Sequence, residues 1–392
     1  MTARESARRI LLRAWAALGR PLSPARAAPL PSSPRILIIR PDHLGDLLFA
    51  APAVRLLRAM FPTAHLAALV GPWGAEIARR CYPVDEVRTC VFPGFSRQPK
   101  GKPWAAYRLL AHEARSLRDF DLAVVLRFDH WWGALLAHTA GIPRRWGDDI
   151  PECAPFLTSA APYTAGRHEV EQSLRLVSTC AEMAGLEAPR IDTHLAFPVT
   201  ADEAGWAAGY LAQQGLAGGE RLIAIHPGAG AAVKLWPAAR YAQVADALAE
   251  RWQARVLLTG SRDELGLAQA VAGAMRSRAT VAAGETTLGQ LAALLARCQL
   301  VIGSDSGPLH LAVAVGAPTL HMFGPADPAL FGPWAPGEEA RHPVLLSPRH
   351  CVPCNRLDYG PAELPEHPCM AEVATEDVLR AAERVLAAEA RP

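Results

Sequence analysis

The chain has 392 residues, of which 51% are hydrophobic and 20% charged, and its formal net charge is +2. This composition excludes an intrinsically disordered chain, and the length predicts two domains of ordinary size. A near-neutral chain is not one whose whole surface binds nucleic acid. Because no stretch of about 18 apolar residues is free of charge, no transmembrane helix is predicted. Eight cysteines scattered through a chain of this length predict reduced thiols and a cytoplasmic location.

Residues 1–34 form a basic, proline-rich leader. Between Ser6 and Leu18, apolar residues recur at helical spacing among arginines. This pattern predicts a helix lying on an anionic membrane surface, and the alternative is a basic leader without structure.

The first domain is predicted at 35–195, where short apolar runs alternate with helix-length segments. Such alternation predicts parallel strands covered by helices on both faces of a sheet. Strands are predicted at 36–39, 65–70, 84–91 and 122–126, and helices at 44–60, 104–118, 131–139 and 168–184.

A junction at 196–219, with a helix near 202–214, leads to a second domain at 220–374. Its strands are predicted at 222–225, 256–258, 280–282, 300–302 and 319–323, and its helices at 237–251, 263–275, 287–297 and 308–315. A last helix at 375–388, in the segment 375–392, is expected to pack back on the first domain.

The fold class is therefore α/β, with two doubly wound, Rossmann-like domains. Two such domains predict a central cleft between them. Ligands of doubly wound sheets bind beyond the carboxyl ends of the strands, so functional residues are expected in the loops there.

The first such loop runs from Arg40 to Asp46. Gly45 allows close backbone approach, and Asp46 follows it at the start of a predicted helix. Asp42 or Asp46 would suit a helix N-cap, whereas a carboxylate facing an apolar cleft could act as a general base. His43 is the alternative base.

The second loop, 226–237, is rich in Gly and Ala and includes Gly228 and Lys234. Small residues allow the backbone to cradle phosphate oxygens, and Pro237 suits the first turn of the next helix. A lysine just before a helix opposes the helix dipole, so its position makes sense if an anion binds there. The alternative is a solvated surface lysine.

The third loop, 303–310, contains Asp305, Ser306, Gly307 and His310. Its backbone amides and hydroxyls at a predicted helix start form an anion site, and the alternative is ordinary capping by Asp305 or Ser306. After strand 256–258, Asp263 or Glu264 could bind ribose hydroxyls or cap the next helix.

These loops together resemble glycosyltransferase family 9, the bacterial heptosyltransferases of lipopolysaccharide core assembly. The matching stretches cover about residues 35–390 and are Ile36–Pro52, Ile223–Pro237, Leu300–His310 and Phe323–Pro333. The resemblance implies the GT-B fold, an acceptor-binding first domain and a nucleotide-sugar-binding second domain.

By position, Asp46 matches the family's proposed general base, and Lys234 matches the lysine that stabilises the departing nucleotide diphosphate. The resemblance implies donor binding by Gly228, Glu264, Asp305, Ser306, Gly307 and His310. It implies an inverting transferase that uses ADP-heptose or a related nucleotide sugar, requires no cofactor or metal, and acts on a lipid-linked glycan. The enzyme would be a cytoplasmic monomer that contacts the inner membrane peripherally and binds no nucleic acid.

Two other functions stay open on the sequence alone: a GT-B hydrolase or epimerase acting on nucleotide sugars, and a non-catalytic nucleotide-sugar-binding homologue. The presence of both Asp46 and Lys234 favours an active transferase over the latter. Cys351, Cys354 and Cys369 resemble a cysteine cluster found in part of the family. They are interpreted as reduced thiols or a disulfide, with structural zinc as the alternative if His350 or His367 supplied a fourth ligand.

Overall fold

The computed structural model describes residues 30–95, 104–216 and 220–390. The chain divides into two compact units at Thr193 and His194. The helix predicted between Ser6 and Leu18 lies outside the described residues. In the three described ranges, no helix has both the length and the apolar character needed to cross a membrane.

The first unit is built on a six-stranded parallel sheet with the order β3-β2-β1-β4-β5-β6. Its elements are β1 (Arg35–Arg40), α1 (Leu44–Met60), β2 (His65–Val70), α2 (Ala75–Cys81), β3 (Glu86–Thr89), α3 (Ala105–Ser116), β4 (Leu122–Val125), α4 (Trp131–Thr139), β5 (Arg144–Asp148), β6 (Ser159–Ala161) and α5 (Glu169–Met183).

The second unit repeats this plan, with the strand order β12-β11-β10-β7-β8-β9. Its elements are α6 (Ala201–Gln213), β7 (Arg221–His226), α7 (Ala238–Trp252), β8 (Ala254–Leu258), α8 (Leu265–Ala274), β9 (Ala279–Val281), α9 (Leu288–Leu295), β10 (Leu300–Ser304), α10 (Gly307–Ala314), β11 (Thr319–Phe323), α11 (Pro328–Phe331), β12 (Val344–Leu346) and α12 (Thr375–Glu389).

Both sheets follow the Rossmann strand order, which confirms the predicted α/β class and the two Rossmann-like domains of a GT-B fold. The central strands are apolar because helices cover both faces of each sheet. Residues 36–39 of β1, for example, are 0% exposed. Burial of each such aliphatic side chain stabilises the fold by about 1.5–3 kcal/mol.

The last helix, α12, packs on the second unit, whereas the sequence analysis expected it on the first. Val378, Ala382 and Val385 join the same apolar core as Ile223 of β7, and α12 lies against α7. Leu386 extends this contact along the helix. The apolar face of α12 thus completes one side of the second sheet.

The strand order also fixes where ligands bind. In each sheet the order reverses between the first and fourth strands, that is between β1 and β4 and between β7 and β10. Loops that leave these neighbouring strands at their carboxyl ends diverge and open a crevice. The candidate residues follow β1 in the first unit, and β7, β8 and β10 in the second.

Candidate functional site

In the first unit, the loop between β1 and α1 carries a network of buried charges. Arg40 is 1% exposed and Asp42 is 2% exposed, and Arg40 Nε lies 2.6 Å from Asp42 Oδ2. Arg127, which follows β4, forms an ion pair with Asp42 Oδ1. Arg40 also lies 3.3 Å from the Glu169 carboxylate at the start of α5. Asp42 is thereby committed to two arginines and is not available as a base.

Asp46 is the third residue of α1 and is partly buried beside this network. Burial raises the pKa of its carboxyl, the neighbouring Asp42 carboxylate raises it further, and Arg40 and Arg127 oppose the shift, with the result that the pKa is about 7. A carboxylate with this pKa can accept a proton near neutral pH more readily than an ordinary aspartate.

The capping interpretation of this loop is wrong. The N-cap residue of α1 is His43, no side chain caps the helix, Asp42 is paired with Arg40 and Arg127, and Asp46 is already the third residue of the helix. The His43 ring stacks on Trp73 with 5.1 Å between centroids, and the Trp73 indole donates to the Asp42 backbone carbonyl at 2.8 Å. These contacts hold the loop from outside the ion-pair network.

In the second unit, Lys234 and Asp305 meet from loops 71 residues apart. Lys234 Nζ lies 2.6 Å from Asp305 Oδ2, and His310 Nε2 lies 3.4 Å from Asp305 Oδ1. Lys234 ends a 3₁₀ turn (Ala232–Lys234) after β7, and Asp305 follows β10. Adjacent parallel strands bring the two loops together at the carboxyl edge.

The environment of Asp305 favours its ionised form. Burial opposes ionisation of Asp305, but the hydrogen bond with His310 and the charge of Lys234 outweigh it and lower the pKa of Asp305 to about 2. Lys234 is only 9% exposed, so the interpretation of a solvated surface lysine is wrong. Pro237 is the N-cap of α7 and does not lie in its first turn.

The turn between β10 and α10 keeps its donors available. Ser306 is the N-cap residue of α10, but no side chain caps the helix, so capping by Asp305 or Ser306 is wrong. The buried Ser306 hydroxyl has no hydrogen-bond partner among the described residues. Together with the Gly307 amide, this hydroxyl can serve an anion placed beside Lys234, whereas Pro308 has no N–H and the Leu309 amide donates to the Ser306 carbonyl at 3.1 Å.

Glu264 closes another side of the second-unit site. Its Oε2 accepts a hydrogen bond from the Ser261 amide at 2.8 Å in a capping box, which confirms the capping interpretation for Glu264. Its Oε1 faces Gly228, where an added Cβ would overlap the carboxylate, and lies 4.0 Å from His226 Nε2. Asp263, the alternative ribose ligand, is exposed.

The structure adds residues that the sequence analysis did not single out. Arg127 lies two residues beyond the end of β4, the strand beside β1, and this placement at the switch point was a usable signal. His226 ends β7 and shares a 3.2 Å contact between its Nδ1 and the Thr259 hydroxyl. No sequence feature points to Glu169 as a site residue, because only the folded chain brings α5 to Arg40.

The model of glycosyltransferase family 9 (heptosyltransferase) matches residues 110–357. The chain belongs to this family. It is therefore a glycosyltransferase, and the matched segment contains the whole second-unit site. Lipopolysaccharide heptosyltransferase 3 of Escherichia coli is 36% identical over 119 residues, which are 30% of this chain and 35% of that protein. Lipopolysaccharide heptosyltransferase 2 of E. coli K12 is 25% identical over 340 residues, or 81% of this chain and 90% of that protein.

A solved structure of an E. coli ADP-heptose lipopolysaccharide heptosyltransferase II has a similar fold. The TM-score is 0.70 at 24% identity, with 91% of this chain and 100% of that chain covered. At this identity the likeness supports the fold of the family 9 enzyme.

Three cysteines of the family 9 enzyme are candidate zinc ligands on the sequence: Cys351, Cys354 and Cys369. Cys351 and Cys354 are exposed thiols and Cys369 is a buried one, so the disulfide interpretation is wrong. Within 30–95, 104–216 and 220–390, no group of three or more His, Cys, Asp or Glu side chains is arranged to hold a metal ion. The His367 ring instead packs on Tyr359 at 3.9 Å.

Proposed function

We propose that this family 9 enzyme transfers a heptose, or a related sugar, from an ADP-sugar to a lipid-linked glycan acceptor, with inversion and without a metal ion. The acceptor is the lipopolysaccharide core. The observation that carries the proposal is the buried Lys234–Asp305–His310 cluster beside the start of α10. The names of the two E. coli relatives support the heptose and lipopolysaccharide parts of it.

The second domain supplies the electrostatics for a leaving diphosphate. When the bond between the sugar C1 and the β-phosphate oxygen breaks, ADP departs with an additional negative charge. Lys234 neutralises this charge, and the Ser306 hydroxyl and the Gly307 amide donate hydrogen bonds to the phosphates. Asp305 keeps the ammonium in place and His310 orients Asp305. In this scheme a lysine performs the role that a divalent cation performs in other transferases.

The first domain supplies the base. An acceptor hydroxyl attacks C1 on the face opposite the nucleotide, so one displacement inverts the anomeric configuration. The hydroxyl proton passes to the Asp46 carboxylate as the new C–O bond forms. The pKa of about 7, which burial raises, makes Asp46 a better proton acceptor than Asp42, which is paired with Arg40 and Arg127.

Glu264 is placed to bind the nucleoside. Its carboxylate is fixed through Oε2 by the Ser261 amide, and Oε1 remains directed toward Gly228. A carboxylate after the second strand of a Rossmann-like unit accepts hydrogen bonds from ribose hydroxyls. Gly228 leaves the space that this carboxylate occupies.

The proposal is tested by calorimetric binding of ADP, UDP, GDP, dTDP and ADP-heptose, each with and without EDTA. We expect a preference for ADP and ADP-heptose that EDTA does not change. Preference for another nucleotide would overturn the donor. Binding that EDTA abolishes would overturn metal independence.

A second measurement concerns the stereochemistry. Proton NMR of the product formed from ADP-heptose reports the anomeric configuration directly. An inverted anomer supports a single displacement, and a retained anomer contradicts the role given to Asp46.

We also propose where the enzyme acts. A lipid-linked acceptor is held in a membrane, so the enzyme works as a peripheral protein at the cytoplasmic face of the inner membrane. Fractionation of cells into cytosol and membranes, with and without a high-salt wash, tests this location.

A further inference from the structure

A cavity of about 480 Å³ lies at the amino edge of the second sheet, opposite the edge that carries the proposed donor site. The starts of β7 and β8 and the segments that lead into β10 and β11 form its inner wall, through Leu222, Arg255, Gln299 and Pro318. Residues of α6 and α12 close two of its sides. We name this cavity the amino-edge pocket. Its volume is typical of small-molecule sites, so its lining decides what it can hold.

The charged side chains of the amino-edge pocket are mostly arginines. Those that line it in the described part of the chain are Arg221, Arg255, Arg297, Arg341, Glu220 and Glu389. This described lining therefore has an excess of two positive charges. Such an excess attracts anions and repels cations.

One of these arginines is already neutralised. Arg341 Nε lies 2.8 Å from Glu389 Oε1, and Arg341 Nη1 lies 2.7 Å from Glu338 Oε2. Its Nη2 also donates to the Gly316 carbonyl at 3.1 Å. These contacts hold the end of α12 against the loop before β11, so Arg341 has a structural role in the wall.

The other three guanidinium groups are not neutralised in this way. The Arg221 guanidinium lies 5.1 Å from the centre of the Trp252 ring, which holds it at the rim of the pocket. The side chains of Arg255 and Arg297 have no hydrogen bond or ion pair with any other described residue. Glu220, also at the rim, offsets at most one of the three charges.

The carboxylates next to the pocket do not cancel this excess either. An adjoining depression shares Arg255 and is also lined by Arg276, Arg278, Asp246 and Glu250. Asp246 Oδ2 accepts hydrogen bonds from the Arg276 amide at 2.9 Å and from its Nε at 3.4 Å. Arginines therefore outnumber carboxylates in this neighbouring surface as well.

Interaction with helix ends does not account for all of these arginines. A cation is favourable near the C-terminus of a helix, and Arg297 lies two residues beyond the end of α9. Arg255 is instead the second residue of β8 and is half-buried in the pocket wall. A partly buried charge without an acidic partner is unfavourable, and an anion in the pocket would compensate it.

The inner wall of the pocket is fixed by Gln299. Its Oε1 accepts a hydrogen bond from the Leu222 amide at 2.7 Å, and its Nε2 donates to the Arg297 carbonyl at 3.4 Å. These bonds hold the start of β7 beside the segment before β10, and with them the backbone of Arg221 and Arg297. A wall that is ordered before binding reduces the entropy lost when a ligand binds.

We propose that the amino-edge pocket binds a small anion with two or more negative charges, at a site separate from that of the nucleotide sugar. Guanidinium groups donate paired N–H bonds to the oxygens of phosphates and carboxylates. A ligand with at least two negative charges matches the excess of the lining. The pocket and Lys234 lie at opposite ends of the strands, so the two ligands do not compete for one set of residues.

Calorimetric titration of the full-length protein with pyrophosphate, at fixed ionic strength, tests the proposal. We expect saturable binding at the pocket. Arg255→Gln combined with Arg297→Gln should weaken this binding about a hundredfold or more, because each lost hydrogen bond between charged groups costs about tenfold or more. Thermal melts of the same variant should show little change, since neither side chain has a described partner to lose.

Two further variants locate the binding. Arg380 and Arg384 are exposed arginines of α12 outside the pocket lining, and changing both to Gln alters the net charge equally. This control should bind pyrophosphate as the unchanged protein does. Lys234→Met combined with Asp305→Asn removes the ion pair of the proposed donor site, where a diphosphate could also bind, and the pocket binding should persist. Saturating ADP on the unchanged protein separates the two sites without a substitution.

Three results would overturn the proposal. The first is the loss of all saturable pyrophosphate binding in the Lys234 and Asp305 variant, together with its loss in ADP-saturated protein. The second is pocket binding of unchanged affinity in the Arg255 and Arg297 variant. The third is an equal loss in the Arg380 and Arg384 control, which would show a general effect of net charge. A protein that failed to bind ADP or to transfer heptose would contradict the proposed function, while the arginine variants would still decide the role of the pocket.

Discussion

At the scale of single residues, the two sites hold their carboxylates in opposite states. Burial and Asp42 raise the pKa of Asp46 to about 7, whereas His310 and Lys234 overcome burial and lower the pKa of Asp305 to about 2. Asp46 can therefore exchange a proton near neutral pH, and Asp305 stays ionised as a partner for a cation. This difference follows from the neighbours of each residue, because the two share one side-chain chemistry.

We expect Asp46→Asn to lower kcat by about 10²–10⁴-fold, the contribution of a general base, and to leave ADP binding unchanged. In the unchanged enzyme, kcat/KM should rise with pH and level off above about 7, as Asp46 loses its proton. Assays of kcat/KM across pH 5–9 and ADP calorimetry measure both effects. Burial disfavours the ionised carboxylate, so the Asn variant should melt no lower than the unchanged protein at pH 8. Normal transfer by a folded Asn variant would contradict the assignment.

Lys234→Met removes the cation that Asp305 faces. Removing one partner of a buried ion pair costs about 3–5 kcal/mol of stability, and losing one charged contact to the diphosphate weakens ADP binding about 10- to 100-fold. Adding Asp305→Asn removes the uncompensated charge and should restore part of the melting temperature without restoring ADP affinity. Thermal melts and calorimetry on both variants separate the two effects. Recovery of ADP affinity in the double variant would show that Lys234 acts only on stability.

The contribution of Asp305 to stability has a defined pH dependence. Its folded-state pKa is depressed, so the stabilisation is complete above the unfolded value near 3.8 and is lost as pH falls toward about 2. A shift of this size corresponds to about 2–3 kcal/mol. Acid titration of the urea midpoint should show this loss in the unchanged protein and a smaller loss in Asp305→Asn. Equal losses in the two proteins would contradict it.

At the scale of elements, the loop after β7 has a glycine, Gly228, at a position where a side chain would overlap Glu264. A Cβ there would overlap the end of the flexible Glu264 side chain, which can move away at small cost. Gly228→Ala should therefore change the melting temperature little but weaken ADP binding, because the displaced Glu264 no longer presents Oε1 to the ribose. Gly230→Ala is the matched control, since nothing lies within 4 Å of a Cβ at that position. Equal ADP affinities for the two variants would contradict the role of Glu264.

The elements that the sequence predicted well are those with a single strong signal. Helices Leu44–Met60 and Trp131–Thr139 and strands His65–Val70 and Thr319–Phe323 have the predicted bounds, since each is a clear apolar run or periodic segment. The helix predicted at 263–275 instead begins as a 3₁₀ turn at Arg262.

The missed elements depend on tertiary contacts. Strand β5 reads Arg-Arg-Trp-Gly-Asp, and its Arg145 is buried because the guanidinium donates to the Phe156 and Ile142 carbonyls. Strands β6 and β12 have three residues each, and α2 has seven, too few for a periodic pattern. The contacts within the two sites also depend on tertiary structure, and the sequence did not predict them. Parallel strand order predicts which loops meet, but not that Lys234 reaches Asp305 or that Arg127 reaches Asp42.

At the scale of the whole molecule, each unit has its own sheet and its own apolar core. The residues proposed to bind the nucleotide all belong to the second unit, and the proposed base, Asp46, belongs to the first. On this proposal the enzyme divides its chemistry between two similar scaffolds, each using the switch point of one sheet. This division predicts that a ligand of one unit acts mainly on the stability of that unit.

We expect scanning calorimetry to resolve two transitions, of which ADP raises one. At a free concentration of 100 times Kd, a ligand that binds only the folded state adds about 2.7 kcal/mol of stability to the unit that holds it. Lys234→Met should lower that transition and reduce its response to ADP, while Asp46→Asn should leave the response intact. The assignment can be checked by limited proteolysis between the two transitions, followed by mass spectrometry of the surviving fragment. A single transition that ADP raises as a whole would show instead that the two cores unfold cooperatively, and the nucleotide would then stabilise the base-bearing unit as well.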